Sequence, residues 1–385
     1  MNILITGSKG FVGQNLVAQL KRREGLALFE YDLGSDAAVL GEGLRQADVI
    51  FHLAGVNRPK NEAEFHIGNT GSTEEICSRL RELDRRSRIV LASSIQAELD
   101  NPYGVSKRNA EEVLRRFAEE SGAACVVYRF KNLFGKWCRP NYNSVTATFC
   151  HNIAHDLPIQ ISDPANELEL TYIDDVVAAF SRELDGAGET GFRFAGELPS
   201  YRVSLGELAE TIQSFRDVRT SLFLPDFSQP FIRALYATYL SYLAEDNFGY
   251  SLKQFSDERG ELAELLKSPH AGQIFVSRTR PGITRGNHYH DSKVEKFVVL
   301  EGDAVIRFRH ISGDKVIEYP VSGREFRVVD IPPGYTHAIE NVGMADMVVL
   351  FWASDVFDSD YPDTFWLDVK NPPQRTQRPI RRGWM

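Results

Sequence analysis

MNILITGSKGFVG, residues 1–13, is the stretch on which the fold turns. Ile3, Leu4 and Ile5 form a short continuous apolar run, as expected of a strand buried on both faces of a parallel sheet. After Thr6 come three glycines, Gly7, Gly10 and Gly13, spaced G-x-x-G-x-x-G. Glycines at a strand-to-helix junction let backbone amides approach a pyrophosphate at the helix N-terminus. The segment Gly7, Lys9, Gly10, Phe11, Val12 and Gly13 is therefore the expected cofactor contact. A glycine-rich turn with no ligand is the alternative, because the spacing departs from G-x-G-x-x-G.

The same grammar continues outward. ILIT, DVIFHLAG, RIVLASS and CVVYRF read as buried strands separated by amphipathic helices, a βαβ pattern that implies an α/β, Rossmann-like, doubly wound parallel sheet over residues 1–245. Its last part, from residue 181, is richer in helix and is expected to cap the carboxyl edge of the sheet. Near Asp246 the text changes to β runs with turn signals, GQIFVSRT, KFVVLEGDAVIRFRH, REFRVVDIPPG and DMVVLFWAS, which predict a small antiparallel barrel over 246–369. Residues 370–385 hold five basic residues, three prolines and no acid, and read as a tail.

A chain of 385 residues exceeds what one core usually serves. Its net charge of −9 argues against a nucleic-acid partner, since phosphate binding needs clustered Lys and Arg. No apolar run is long enough for a membrane span. With Ile3, Leu4 and Ile5 already reading as a strand, no room is left for a signal segment, and a cytoplasmic location is expected. The four cysteines (Cys77, Cys125, Cys138, Cys150) show no C-x-x-C spacing, so buried thiols are expected rather than a metal or disulfide framework.

Two further stretches carry chemistry. In SSIQAELDNPYGVSK, residues 93–107, Asn101 and Pro102 read as N-cap and first residue of a helix running to about Glu120, stopped by Ser121 and Gly122. Tyr103 and Lys107 then lie one turn apart on one face. A phenol beside an ammonium ionises more readily, which suits it to pass a proton. Ser94, at the end of its strand, is placed to hydrogen-bond the same substrate oxygen. In GITRGNHYHDSKVE, residues 282–295, His288 and His290 face one side of a strand. Glu295, an odd number of residues away, must come from beyond the turn, on the neighbouring strand. His337, in IPPGYTHAIEN, completes a set of three imidazoles and one carboxylate. That set suits a divalent metal, Zn²⁺ first, with Fe²⁺, Ni²⁺ or Mn²⁺ as alternatives and with a structural role left open beside a catalytic one.

The glycine spacing with Ser94, Tyr103 and Lys107 resembles the extended short-chain dehydrogenase/reductase family. HLAG (Leu53, Ala54, Gly55) resembles its adenosine-side loop. YRFKNLFG resembles its R-x-x-N-x-Y-G segment, which implies substrate binding by Asn132 and Arg129, and TYIDDVV (Asp174, Asp175) resembles a further nucleotide-sugar segment. Ile95 and Gln96 stand where the family's dehydratases carry acids, so hydride transfer is the simpler expectation. Residues 282–302 and 332–341 follow the cupin pattern. Together these resemble the CapF-type bifunctional enzymes of capsular polysaccharide biosynthesis, through HLAGVNRP, NLFGKWCRPNYNSVTATF and VVDIPPGYTHAIEN. The resemblance implies a homodimer acting on UDP-linked 4-keto-6-deoxy-2-acetamido hexoses. It further implies that the cupin inverts C3 and that the reductase then reduces C4 with NADPH, giving UDP-2-acetamido-2,6-dideoxy-L-talose on the way to N-acetyl-L-fucosamine. A reductase or epimerase with a non-catalytic cupin is the other reading. Asp32, after the strand LALFEY, favours NADH through a ribose hydroxyl, whereas Lys9 favours a 2′-phosphate. No proton-shuttling group in the cupin is evident; Tyr335 is a candidate, with a supporting or core role as its alternative.

Overall fold

The opening run folds as β1 (Asn2–Thr6), with Ile3, Leu4 and Ile5 wholly buried. It lies between β2 (Ala27–Tyr31) and β3 (Val49–His52), followed by β4 (Arg88–Ser94), β5 (Cys125–Phe130) and, after two strands of a separate sheet, β8 (Phe192–Phe194). The order is β2-β1-β3-β4-β5-β8 and every pairing is parallel. β6 (Asn132–Phe134), β7 (Glu167–Tyr172) and β9 (Tyr201–Ser204) form the small separate sheet.

The crossovers are α1 (Phe11–Leu20), α2 (Ala37–Gln46), a segment in which α3 (Ala63–Phe65) runs through a π-helical turn into α4 (Ser72–Glu82), and α5 (Pro102–Ser121). Leu44 of α2, Leu80 of α4 and Leu114 and Phe117 of α5 cover Leu4, Ile50, Leu91 and Val127 of the sheet. Burying each such side chain contributes roughly 1.5–3 kcal/mol, so this face holds the crossovers firmly. α7 (Ile173–Arg182) packs on α1.

The structure is a computed structural model that describes residues 1–186, 190–252, 255–257, 260–262, 272–355 and 360–371. It divides into two compact units: Met1–Ser144 with Glu167–Val203, and Val145–Asn166 with residues from Ser204 onward. Beyond residue 371 the basic tail lies outside the described residues. Three of the four cysteines are buried thiols, as their spacing suggests.

The second unit contains two five-stranded antiparallel sheets. One orders β10 (Gly249–Ser251), β18 (Arg327–Ile331), β15 (Glu295–Glu301), β20 (Met347–Ala353) and β13 (Gln273–Thr279). The other orders β17 (Val316–Ser322), β16 (Asp303–His310), β19 (Tyr335–Asn341), β14 (Thr284–Tyr289) and β21 (Phe365–Trp366). β11 (Phe255–Asp257) and β12 (Gly260–Leu262) make a hairpin. The long run KFVVLEGDAVIRFRH breaks at Gly302, whose φ of 84° lets the chain pass from β15 in one sheet to β16 in the other. This is the double-sheet barrel of a cupin-like domain.

α6 (Val145–Ala154), α8 (Leu205–Ser221) and α9 (Pro230–Leu240) also belong to the second unit. Phe215 of α8 meets Tyr236 of α9 edge-on at 5.0 Å, Phe227 lies against Trp352 of β20, and Arg219 pairs with Asp330 of β18. Helical composition groups these residues with the first part of the sequence; in the structure the three helices pack on one another and reach strands of the second unit, a relation that composition does not carry.

Candidate active sites

Backbone crowding explains the glycines of the first loop. Gly7 has φ +70°, and a Cβ there would stand 2.6 Å from the Ala54 nitrogen. A Cβ on Gly13 would stand 2.0 Å from the Gly7 carbonyl oxygen, so the first turn of α1 fits against the loop only without one. α1 begins after Gly10 with no capping side chain and no acid in its first turn. Its first amides, at Phe11, Val12 and Gly13, are therefore available to an anion. Asp32 and Lys9 are brought together. One Asp32 carboxylate oxygen accepts from the Lys9 amide at 2.6 Å and the other from the Leu33 amide at 2.7 Å, so this acid shapes the loop.

The HLAG loop is fixed from below. His52 is fully buried and holds its proton poorly, its pKa pushed down to about 3 by burial and then by Lys107. Thr73 donates to the Asn69 carbonyl and therefore accepts from His52 Nε2 at 3.1 Å, while Thr6 donates to Nδ1 at 2.7 Å. Thr6 in turn accepts from the Ala54 amide, and its carbonyl from Leu53, which seats Leu53, Ala54 and Gly55 beside Gly7.

α5 starts as read. The Asn101 side chain accepts from the Gly104 amide at 2.8 Å, Pro102 is the first residue, and the helix ends at Gly122 with φ 73°. Tyr103 packs against Phe65 with the rings tilted and 5.6 Å apart, and shares a hydrogen bond with the Ser94 side chain. Its pKa is raised by burial, against which the Ser94 bond acts. This corrects the expectation that Lys107 would lower it. The Lys107 ammonium, 8% exposed, instead donates to the Ala92 carbonyl at 2.8 Å and borders Gly55. Burial pushes Lys107 itself down to about 8, partly offset by Glu111.

Residues that no motif announced complete this site. Asn69, in the π-helical turn, accepts from the Val56 amide and donates to the Val56 carbonyl and the Ser106 hydroxyl, tying the HLAG loop to α5. Glu111 accepts from Ser93 and is paired with Arg129 at 2.6 Å, while Arg129 also reaches Glu98 at 3.0 Å. Arg129, expected to bind substrate, therefore spends its guanidinium on carboxylates of this unit. Asn132 opens β6 and is exposed. Asp174 and Asp175 lie in the first turn of α7, with Asp174 paired to Lys136 at 2.8 Å.

In the second unit, His288, His290, Glu295 and His337 place one ligand atom each within 4.8 Å of one another. Glu295 opens β15 in one sheet, whereas His288 and His337 stand in β14 and β19 of the other. The carboxylate thus comes from the facing sheet, not from the strand paired with β14, because the turn after His290 carries the chain across. A bulge between Gly286 and His288, with Asn287 at φ 58°, sets the direction of His288.

The donors fit a metal. His290 Nε2, His337 Nε2 and Glu295 Oε2 are buried with no hydrogen-bond partner. Burial holds His288 well below the usual imidazole range and lowers His337. Burial alone would raise Glu295, but His290 and His337 hold it well below the carboxylate range. Two buried imidazole nitrogens and one ionised oxygen without hydrogen-bond partners, with the His288 imidazole beside them, are a donor set that a divalent cation satisfies. His288 and Glu295 also line a cavity of about 680 Å³ with Arg285, Lys293, Thr364 and Trp366. Tyr335 does not line it. Its ring packs on Phe248 and His310, and its carbonyl lies 3.5 Å from His337 Nδ1, a supporting position.

Comparison with known proteins agrees with both halves. Residues 3–191 match the NAD dependent epimerase/dehydratase family, and 255–365 match the polysaccharide biosynthesis C-terminal domain. The chain is 47% identical to a UDP-2-acetamido-2,6-beta-L-arabino-hexul-4-ose reductase of Pseudomonas aeruginosa, over 96% of this chain and 99% of that protein. The crystal structure of the capsular polysaccharide assembling protein CapF from Staphylococcus aureus is 46% identical, covers 96% of this chain and 100% of its own, and superposes with a TM-score of 0.65. UDP-glucuronate 4-epimerase 1 of Arabidopsis thaliana is 25% identical over 53% of this chain and 60% of its own. With a Rossmann-like sheet, a cupin-like barrel and full-length identity of this order, the chain belongs to the CapF-like family of capsular polysaccharide proteins.

Proposed function

We propose that this chain reduces the C4 ketone of a UDP-linked 4-keto-6-deoxy-2-acetamido hexose in its first unit and inverts C3 of the same sugar in its second. The observation that carries the reading is full-length identity to a reductase of such a sugar in a chain that has both sites. The product is UDP-2-acetamido-2,6-dideoxy-L-talose, a precursor of N-acetyl-L-fucosamine for surface polysaccharide, made by a cytoplasmic homodimer. Among the described residues no helix is long and apolar enough to cross a membrane.

A dihydronicotinamide bound at the Gly7, Gly10 and Gly13 loop supplies the hydride that turns the ketone into an alcohol, NADPH being preferred through Lys9. Tyr103 is protonated, its pKa raised by burial, which is the form a reductase needs to deliver a proton to the C4 oxygen. Ser94, bonded to the phenol, directs that oxygen to it. Lys107, one turn on, is held by the Ala92 carbonyl and borders Gly55, where it would meet the bound cofactor.

His288, His290, Glu295 and His337 would hold a divalent cation, Zn²⁺ first, and such an ion would supply Lewis acidity to the ketone, which would make the C3 proton acidic. His288 and Glu295 face the cavity, which favours a catalytic over a purely structural ion. Arg285, on the wall of that cavity, adds positive charge for the diphosphate. Inversion precedes reduction because reduction removes the ketone that acidifies C3, so the second step draws the first forward.

The test is product analysis by NMR with the UDP-4-keto sugar and NADPH. Wild type yields the L-talo alcohol. Tyr103→Phe loses reduction by about 100-fold or more yet still exchanges C3 hydrogen with D₂O. His288→Ala loses exchange but reduces a sugar already inverted. Absence of both cofactor oxidation and exchange in wild type overturns the reading.

A further inference from the structure

A C-terminal strap, residues 360–371, lies against the ligand cluster. Through β21 it pairs with β14, Trp366 opposite His288 and Phe365 opposite Tyr289. Just before that strand stands Asp363, which no motif singled out. Its carboxylate accepts from three consecutive backbone amides, those of Asp291 at 2.9 Å, Ser292 at 3.0 Å and Lys293 at 2.7 Å, and from the Ser292 hydroxyl at 3.1 Å. Lys293 closes the clamp by donating to the Pro362 carbonyl and the Thr364 hydroxyl. The turn so gripped is the one that carries the chain from His290 to Glu295.

The backbone of Asp363 acts on His290 directly. Its carbonyl oxygen lies 2.6 Å from His290 Nδ1. A carbonyl has no proton to give, so this contact places the imidazole proton on Nδ1 and leaves Nε2 with its lone pair. Nε2 is the atom that is buried without a partner and 3.2 Å from Glu295 Oε2. Asp363 adopts a left-handed backbone, φ 36°, which aspartate tolerates better than most residues and which the four bonds to its side chain hold in place.

We propose that Asp363 is a positioning residue for the metal centre. Its side chain grips the turn and its carbonyl selects the His290 tautomer that binds the cation, so the strap preorganises two of the four ligands. The inference rests on the metal reading of this cluster. Outer partners of metal-binding histidines change metal affinity by about 10- to 100-fold when removed. The clamp differs from an ordinary turn contact in that it fixes both the loop and the ring it carries.

The full chain is stripped of metal and titrated with Zn²⁺ against a chromophoric chelator, and with Co²⁺ for its visible ligand-field bands. Asp363→Asn is expected to bind Zn²⁺ about 10-fold more weakly and Asp363→Ala about 100-fold, with an altered Co²⁺ spectrum in both. Tyr361→Ala, on the exposed part of the same strap, is expected to match wild type. Ser292→Ala removes one bond of the clamp and is expected to weaken binding about twofold to fivefold. If wild type binds neither ion, the metal reading falls and this inference with it. If wild type binds and Asp363→Asn matches it in affinity and spectrum, the metal reading stands and the positioning role is overturned. If Asp363→Asn does not fold while Ser292→Ala binds as wild type does, the carboxylate serves the fold alone, and the proposal is again overturned.

Discussion

Lys107 carries a stability cost that pH should reveal. Its ammonium is 8% exposed, and burial brings its pKa from the usual lysine value of 10.5 to about 8. Below pH 8 the folded protein must keep a buried charge that the unfolded chain hydrates, so stability is lowest there and rises as pH passes from 8 toward 10.5. At about 1.4 kcal/mol per pH unit the cost near neutrality is roughly 3 kcal/mol, and about 2 kcal/mol of it is relieved by about pH 9.5. Lys107→Met removes the charge. Urea unfolding of both proteins between about pH 7 and about pH 9.5 gives a difference in which shared ionisations cancel. The lost bond to Ala92 shifts that difference by a constant, but only the titration makes it vary. The variant's relative stability should therefore fall by about 2 kcal/mol across the range. A difference independent of pH would refute the assignment of a strongly depressed lysine, and reduction should be lost in the variant at every pH.

Other substitutions test the remaining links. Gly13→Ala forces a methyl into the Gly7 carbonyl, so nicotinamide cofactor binding by fluorescence titration should weaken at least 10-fold, and unaltered binding would show that the loop has another conformation. Arg129→Met leaves the buried Glu111 unpaired and should cost about 3–5 kcal/mol in unfolding, whereas a substrate-binding role would instead raise KM with stability intact. Asn101→Ala deletes the cap of α5 and should cost about 1 kcal/mol, read as a lower Tm, with weaker reduction because Tyr103 stands in the first turn. Arg285→Gln should raise KM for the UDP-sugar with little change in kcat, and an unchanged KM would remove Arg285 from the cavity's recognition of phosphate.

Local rules made much of the molecule legible in advance. The apolar run Ile3 to Ile5, the glycine spacing, the Asn101 and Pro102 helix start and the alternation from residue 272 onward each act over a few residues, and the structure places strands, loop, helix and barrel accordingly. His288, His290, Glu295 and His337 were named from residue type and spacing, and the fold brings the four together, although a bulge before His288 and the crossing to the facing sheet, not strand periodicity, set their geometry. What spacing missed was everything set by partners far along the chain. Glu111 pairs with Arg129, Asn69 ties a loop to a helix, and the Asp363 carbonyl, 73 residues from His290, lies against its ring nitrogen.

Sequence alone therefore determined which groups the chain carries: a glycine loop between strand and helix, a tyrosine with its lysine, and three imidazoles with a carboxylate. Each follows from residue type and spacing. Tertiary structure decided the state in which those groups are held. Burial raised the Tyr103 pKa and lowered that of Lys107, and the facing sheet supplied Glu295. Helices that composition joins to the Rossmann-like part were packed with the strands of the second unit. Desolvation and long-range hydrogen bonds depend on what surrounds a group in space, and no run of neighbours in the sequence encodes that.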